Sequence, residues 1–364
     1  MNYAVILAGG AGNRFWPAST EAQPKQFLKV FSRRSLLEET ALRISGLTGS
    51  RNIYIAANRA HRRQIISHAN KAGVLTENLF FEPQGRNTFA PIAALAKIIF
   101  SQDKEAVIAV LPADHSIKEN NKFVRALEDA FLAARKGKII VLGVPADYPE
   151  TGYGYVKIRS PGHSFDSAQD RQVTPSTSLR AGRSPVYSVE KFIEKPDLPT
   201  ARELIKDKRY YWNAGIFIFK AQVLLDQIKR LQPKAFKALM RSRDRHSLDK
   251  HWNDFPSLSI DYAIMEKTNK LALIPLDCRW LDLGSWGVME KIFKKDRHGN
   301  ISRGRHMDSG SNNITVWSPG VSVVTAGLKD LIIVNTRSGL LVCAKDRTQE
   351  VKSLVLALKK KKTP

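Results

Sequence analysis

Val5-Ile-Leu-Ala-Gly-Gly-Ala-Gly-Asn-Arg-Phe-Trp-Pro17, closed by Pro24-Lys25, decides the fold of this 364-residue chain. Tyr3 to Leu7 is apolar at nearly every position, the pattern of a strand buried on both faces and not of one half in water. Gly9, Gly10 and Gly12 follow at once. Bare glycine backbone turns sharply and lets successive N–H groups form a concave anion site. Arg14 and Lys25 add two positive charges at its rim, so the stretch is a cradle for a polyphosphate. A dinucleotide fingerprint needs a third glycine where Phe15 stands and an acid near Val30 to Arg34; both are missing. A phosphate loop of the Gly-Lys-Ser/Thr type is absent too. A tight turn without ligand explains the glycines but not Arg14, Pro17, Pro24 and Lys25 together.

The length allows a full core and a smaller second domain. Hydrophobic residues make up 43% and aromatics 9%, as in a globular protein. No apolar run approaches the ~20 residues of a membrane span, and the run after Asn2 is too short for a signal peptide, so a cytoplasmic protein with no membrane partner is expected. Cys278 and Cys343 stand in no metal-ligand spacing and are expected to be reduced and packed. The net charge of +24 admits nucleic acid or simply anionic substrates. Its basic residues are spread along the chain without interleaved aromatic platforms, which argues against nucleic-acid binding.

Along the chain, strands at Asn52 to Ala56, Leu79 to Glu82, Ala106 to Leu111 and Lys138 to Leu142 alternate with helices at Ser35 to Ile44, Ala60 to Lys71, Thr88 to Phe100 and Lys122 to Arg135. Alternation of this kind predicts an α/β fold: a mixed, mostly parallel, Rossmann-like sheet flanked by helices. Such sheets bind ligands at the carboxyl ends of their strands, where the glycine loop, Arg86 to Thr88 and Asp114 all fall. Thr151 to Ile158 pairs with Val186 to Ile193. Between them, 159–185 has no hydrophobic period and reads as an inert, disordered insertion, a functional lid being the alternative. Tyr211 to Phe219 is a further strand, Asp261 to Glu266 starts a helix, and Trp280 to Trp286 is a strand end and turn carrying Asp282. From about His298 the texture shifts to short segments at Asn313 to Trp317, Val321 to Thr325, Leu331 to Val334 and Leu340 to Cys343. Two domains are expected, a catalytic one over 1–297 and a small β-helix-like one over 298–364 ending in a helix that Asp346 and Gln349 cap.

LAGGAGNRFWPAS and PKQFL resemble the signature of the sugar-phosphate nucleotidyltransferases. Phe81-Glu-Pro-Gln-Gly-Arg-Asn-Thr88, Pro112-Ala-Asp-His115, Phe192-Ile-Glu-Lys-Pro196, Trp212-Asn-Ala-Gly-Ile-Phe217, Asp261-Tyr-Ala-Ile-Met-Glu266 and Trp280-Leu-Asp-Leu-Gly-Ser-Trp286 are similar to those of mannose-1-phosphate guanylyltransferases. The resemblance spans most of 1–290 and extends into the C-terminal β region. It implies a GT-A-like nucleotidyltransferase fold and transfer of GMP from GTP to mannose 1-phosphate, with GDP-mannose and pyrophosphate as products. Another hexose 1-phosphate, or a silent homologue that senses sugar nucleotide, remain as alternatives. A homodimer is compatible with the sequence.

Nucleotidyl transfer is in-line attack on the α-phosphorus, so catalysis is positioning and charge neutralisation. Magnesium takes one or two carboxylates besides waters and phosphates. Asp114 and Asp282 suit Mg2+ or Mn2+, although either alone reads equally well as a turn aspartate. Arg14 and Lys25 would grip the triphosphate, surface ion pairing being the alternative. The resemblance further implies a nucleotide site of Leu7, Ala8, Gly9, Gly10, Gly12, Asn13, Arg14, Lys25, Glu82, Arg86, Asn87, Thr88, Pro112 and Asp114. It also implies a sugar-phosphate site of Gly152, Glu194, Lys195, Asn213 and Asp261. The insertion, and Glu21-Ala-Gln23 inside the signature, depart from the family pattern. Replacing 159–185 with a short turn should leave turnover unchanged in a steady-state assay; a large loss would make the segment functional.

Overall fold

The computed structural model describes residues 1–10, 13–30, 32–159, 183–242 and 244–362. The segment read as an insertion thus lies almost wholly outside the described residues. In chain order the strands are β1 Asn2–Leu7, β2 Ile53–Asn58, β3 Leu79–Glu82, β4 Val107–Pro112, β5 His115–Ile117, β6 Ile139–Pro145, β7 Tyr155–Ile158, β8 Tyr187–Ile193, β9 Tyr210–Lys220, β10 Leu271–Pro275 and β11 Trp280–Asp282. They continue with β12 Ile301–Ser309, β13 Thr315–Ala326, β14 Leu331–Thr336 and β15 Gly339–Ala344. The chain forms two compact units: Met1–Gly9, Leu37–Ala113 and Ile117–Trp280 in the first, Gly10–Leu36, Asp114–Ser116 and Leu281–Pro364 in the second.

The first unit carries a nine-stranded sheet in the order β3-β2-β1-β4-β9-β6-β10-β8-β7. The pairings make β3, β2, β1, β4, β6, β10 and β7 run one way and β9 and β8 the other. The sheet is therefore the mixed, mostly parallel one expected. One of its two reversed members, β9, enters between β4 and β6, which a strict βα alternation does not foresee. Registers align the carboxyl ends: Leu7 lies opposite Pro112 and Ala56, and Asn58 opposite Glu82. The continuous apolar runs at Tyr3 to Ile6 and Val107 to Leu111 are buried because both faces are covered. The helix Phe89–Gln102, almost wholly apolar, packs into the same core. Asp261–Met265 is a single π-helical turn and not the start of a longer helix. The chain moves straight on to β10.

In the second unit β12, β13, β14 and β15 form one sheet, parallel in its first three strands and antiparallel in the last. β12 escapes a hydrophobic reading because Ile301 alone among its side chains is buried. The segments expected separately at Asn313 to Trp317 and Val321 to Thr325 are one strand, β13, along which β12 pairs on both sides of a register shift between Gly304 and His306. Asp346 lies not at the start of the last helix but within a 3-10 segment, Lys345–Glu350, ahead of the helix Val351–Lys362.

This unit also explains why the glycine stretch ends in Phe-Trp-Pro. Phe15, 1% exposed, packs with Leu283, Trp286, Met289, Ile332, Val334, Val351 and Val355. Its ring lies 4.8 Å from that of Trp286, whose Nε1 donates to Trp16 O at 2.9 Å, while Thr336 Oγ1 donates to Pro17 O at 3.1 Å. The loop is anchored by its aromatic end and leaves Arg14 partly accessible beside it. Phe15→Ala should destabilise the protein by about 3–5 kcal/mol. Thermal or urea unfolding checks this; a change below about 1 kcal/mol would mean that Phe15 is no anchor.

Candidate active site

Three oxygens of the second unit converge on Lys25. Its Nζ lies 2.7 Å from Asp114 Oδ2 and 3.7 Å from Asp282 Oδ1, and it donates to Leu283 O. A 3-10 turn, Lys25–Phe27, opened by Pro24, aims the stem inward, and the Phe15 ring centroid stands 5.6 Å from the ammonium. Burial disfavours the charged amine, but Asp114 and then Asp282 outweigh it and hold the Lys25 pKa above its ordinary value. Asp114 feels the reverse balance: burial raises its pKa, and Lys25 and then His115 together more than compensate, so the carboxyl is held below its usual range. β5 pairs with β11, and this pairing is what carries Asp114 and Asp282 to one place.

His115 joins the two aspartates. One ligand atom from each of Asp114, His115 and Asp282 lies within 4.8 Å of the others. His115 is absent from the expected set although it follows Asp114 directly; the Pro-Ala-Asp-His motif is the signal that could have found it. Two carboxylates already wrapped around a cation, with an imidazole beside them, suit Mg2+, or Mn2+ with its greater tolerance for nitrogen. Arg14 Nη1 and Asp282 Oδ2 each lie 3.6 Å from the position that a Cβ on Gly284 would take, which brings Arg14 to the same corner. Gly12 lies outside the described residues.

In the first unit, Glu82 ends β3 with its side chain buried, the residue being 6% exposed. One of its oxygens, Oε2, has no hydrogen-bond partner. Burial pushes its carboxyl from 4.5 up to about 7, against a smaller pull from the Arg86 backbone N–H. A Cβ on Gly9 would stand 3.5 Å from Glu82 Oε1, so the glycine backbone passes close to the carboxyl. Leu7 O accepts from Ala113 N and Ala8 N donates to Ala56 O, which ties both residues to the sheet.

The Arg86 guanidinium is engaged inside the protein, donating to Phe255 O at 2.7 Å and Asn253 Oδ1 at 2.6 Å. Thr88 Oγ1 accepts from Ile260 N at 2.9 Å, and Asn87, at φ 60°, accepts from Thr88 N on its own Oδ1. Arg86 and Thr88 thus brace their loop, while Asn87 stays exposed.

A second acid group of the same unit gathers Glu194, Lys195, Asn213 and Asp261. Lys195 Nζ pairs with Glu194 Oε1, and Asn213 Nδ2 donates to Asp261 Oδ1 at 2.8 Å. Glu194 has a side chain 4% exposed and an Oε2 without a partner. Its pKa is raised by burial and next by Asp261, and that of Asp261 is raised by burial. Glu266, not expected, accepts the Glu194 N–H at 3.0 Å. Gly152 is not shown to join this group: it is exposed and its N–H goes to Glu150 Oε1. Gly154 does, since a Cβ there would stand 2.5 Å from Glu194 Oε2 and would force that carboxylate to shift.

A family model described as nucleotidyl transferase matches residues 3–299, and one described as a MannoseP isomerase/GMP-like beta-helix domain matches 304–358. This chain belongs to the nucleotidyl transferase family. The transferase is 34% identical to mannose-1-phosphate guanylyltransferase 2 of Escherichia coli O157:H7 over 366 residues, covering 98% of this chain and 73% of the relative. It is 33% identical to the alginate biosynthesis protein AlgA of Pseudomonas aeruginosa over 359 residues, covering 96% and 71%. Among solved structures, a Thermus thermophilus protein described as a mannose-1-phosphate geranyltransferase superposes with a TM-score of 0.86 at 30% identity, covering 98% of this transferase and 99% of that chain.

The buried Glu82 makes stability depend on pH in a stated direction. A carboxyl whose pKa is higher in the folded state favours folding while protonated, and that advantage is lost as pH rises from 4.5 through about 7. Glu82→Gln should therefore match wild type below pH ~4.5 and exceed it above ~7 by on the order of 3 kcal/mol at most. Urea unfolding of both proteins across this range checks it; parallel curves would show that Glu82 ionises normally.

Proposed function

We propose that this enzyme transfers GMP from GTP to mannose 1-phosphate, giving GDP-mannose and pyrophosphate. The observation that carries the reading is the convergence of Lys25, Asp114 and Asp282 in the second unit. Nucleotidyl transfer needs no protein nucleophile. A sugar-phosphate oxygen, already ionised near pH 7, forms a bond to the α-phosphorus while the bond from that phosphorus to the bridging oxygen of the departing pyrophosphate breaks. What the reaction demands is fixed positive charge where negative charge gathers.

Lys25 and Arg14 are the positive groups we assign to the phosphates, Arg14 as a planar fork and Lys25 as a movable point charge. Asp114 and Asp282, with His115 beside them, would hold Mg2+ or Mn2+. That cation would supply further neutralisation of the departing pyrophosphate. Glu82 supports guanine over other bases, because its buried carboxylate with an oxygen unpartnered suits the two adjacent N–H donors of guanine's Watson–Crick edge. Glu194 and Asp261 are assigned to sugar hydroxyls, and Lys195 to the 1-phosphate. Mannose itself rests on the names of the relatives. No helix among the described residues is long and apolar enough to cross a membrane, and we take the enzyme to work in the cytoplasm, catalysis residing in 1–297 and 298–364 forming the β domain.

The test is pyrophosphate release by purified protein over a matrix of nucleoside triphosphates and sugar 1-phosphates with Mg2+. GTP with mannose 1-phosphate should lead the matrix, and Asp114→Asn and Asp282→Asn should each lose at least ~100-fold in turnover. Preference for another pair would change the substrates assigned, and silence with every pair would end the reading.

A further inference from the structure

We infer that Lys25 is the tethered counter-ion of the Asp114–Asp282 pair, keeping a divalent cation out of it until a triphosphate draws the ammonium away. This rests on the metal site proposed above and adds an order of events to it. The ammonium is held by oxygens from three different positions: Asp114 Oδ2 at 2.7 Å, Asp282 Oδ1 at 3.7 Å and Leu283 O. Its side chain is only 10% exposed. Oxygens converging on one buried positive charge are what a hard cation needs, so Lys25 and a metal ion compete for the same donors. They cannot share them, because two like charges at contact distance in a poorly solvated site repel strongly. Arg14, at the same corner, adds to that repulsion.

A lysine can resolve the conflict where an arginine would not, since its compact charge sits on a flexible four-carbon stem and can change partners. A triphosphate offers the ammonium new oxygens and at the same time adds ligands for the metal. Metal and nucleotide then favour each other's binding, and by linkage the coupling is reciprocal. Neither the acid pair nor the lysine has to be rebuilt; the cation at the centre is exchanged.

The full chain is titrated with Mn2+ by electron paramagnetic resonance, with and without GTP, as wild type, Lys25→Met, Asp114→Asn and the double variant. Wild type without nucleotide should bind Mn2+ weakly, and Lys25→Met at least ~10-fold more tightly, a gain that Asp114→Asn removes. Nucleotide-free binding by Lys25→Met no tighter than wild type, with Asp114→Asn still abolishing binding in the presence of GTP, overturns the counter-ion role and spares the metal site. Binding indifferent to Asp114→Asn even with GTP overturns both. Should Lys25→Met not fold, the lysine 15Nζ resonance of wild type decides: it should move on adding GTP and stay on adding Mg2+ alone, and a shift with Mg2+ alone sinks the idea.

Discussion

Two carboxylates cannot lie within ligand distance of one another in a partly buried site unless a positive charge stands between them; otherwise one would take up a proton. In this chain Lys25 is that charge, and much of the second unit can be understood as what keeps it there. Pro24 starts the short turn that aims the lysine inward, the Phe15 ring flanks it, and the β5–β11 pairing brings the two aspartates from positions far apart in the chain. The aromatic anchor of Phe15, Trp16 and Trp286 fixes the loop that Arg14 stands on. Remove the ammonium and the acids repel; remove the anchor and the ammonium loses its aim.

The first unit solves a different problem. Its acids, Glu82, Glu194 and Asp261, are pushed towards the neutral form chiefly by burial, and two of them keep an oxygen without a partner. An unpaired buried oxygen is unfavourable for folding; in the binding roles proposed for these acids, a ligand's N–H or O–H would complete it. On that proposal, stability is given up in the free protein in exchange for specificity. The backbone beside these acids is correspondingly bare: Gly9 by Glu82 and Gly154 by Glu194 leave room that a methyl group would narrow or fill.

Arg86 has a bracing task that its chemistry alone does not announce. An arginine in a loop at the carboxyl end of a parallel strand invites a phosphate or base partner. Here both terminal nitrogens brace the stretch at Asn253 and Phe255, and Trp252 Nε1 returns a hydrogen bond to Gln84 O at 2.7 Å. The loop is held in shape by this reciprocal pairing, which connects segments more than 160 residues apart in a way no local pattern announces.

What the sequence determined by itself was whatever depends on near neighbours. Short apolar runs bounded by turn residues read as strands covered on both faces, glycines in succession as a sharp turn, and the alternation of periods called for helices on a mostly parallel sheet. The tertiary structure alone decided what depends on distant neighbours. β9 enters the sheet in reverse, His115 completes the acid cluster, and Gly154, not Gly152, touches Glu194. β12, nearly all polar, becomes a strand because β13 offers it a ladder of hydrogen bonds. The physical reason is the same throughout: propensity and periodicity are written in consecutive residues. Pairing, burial and charge partnership are properties of residues that meet only when the chain has folded.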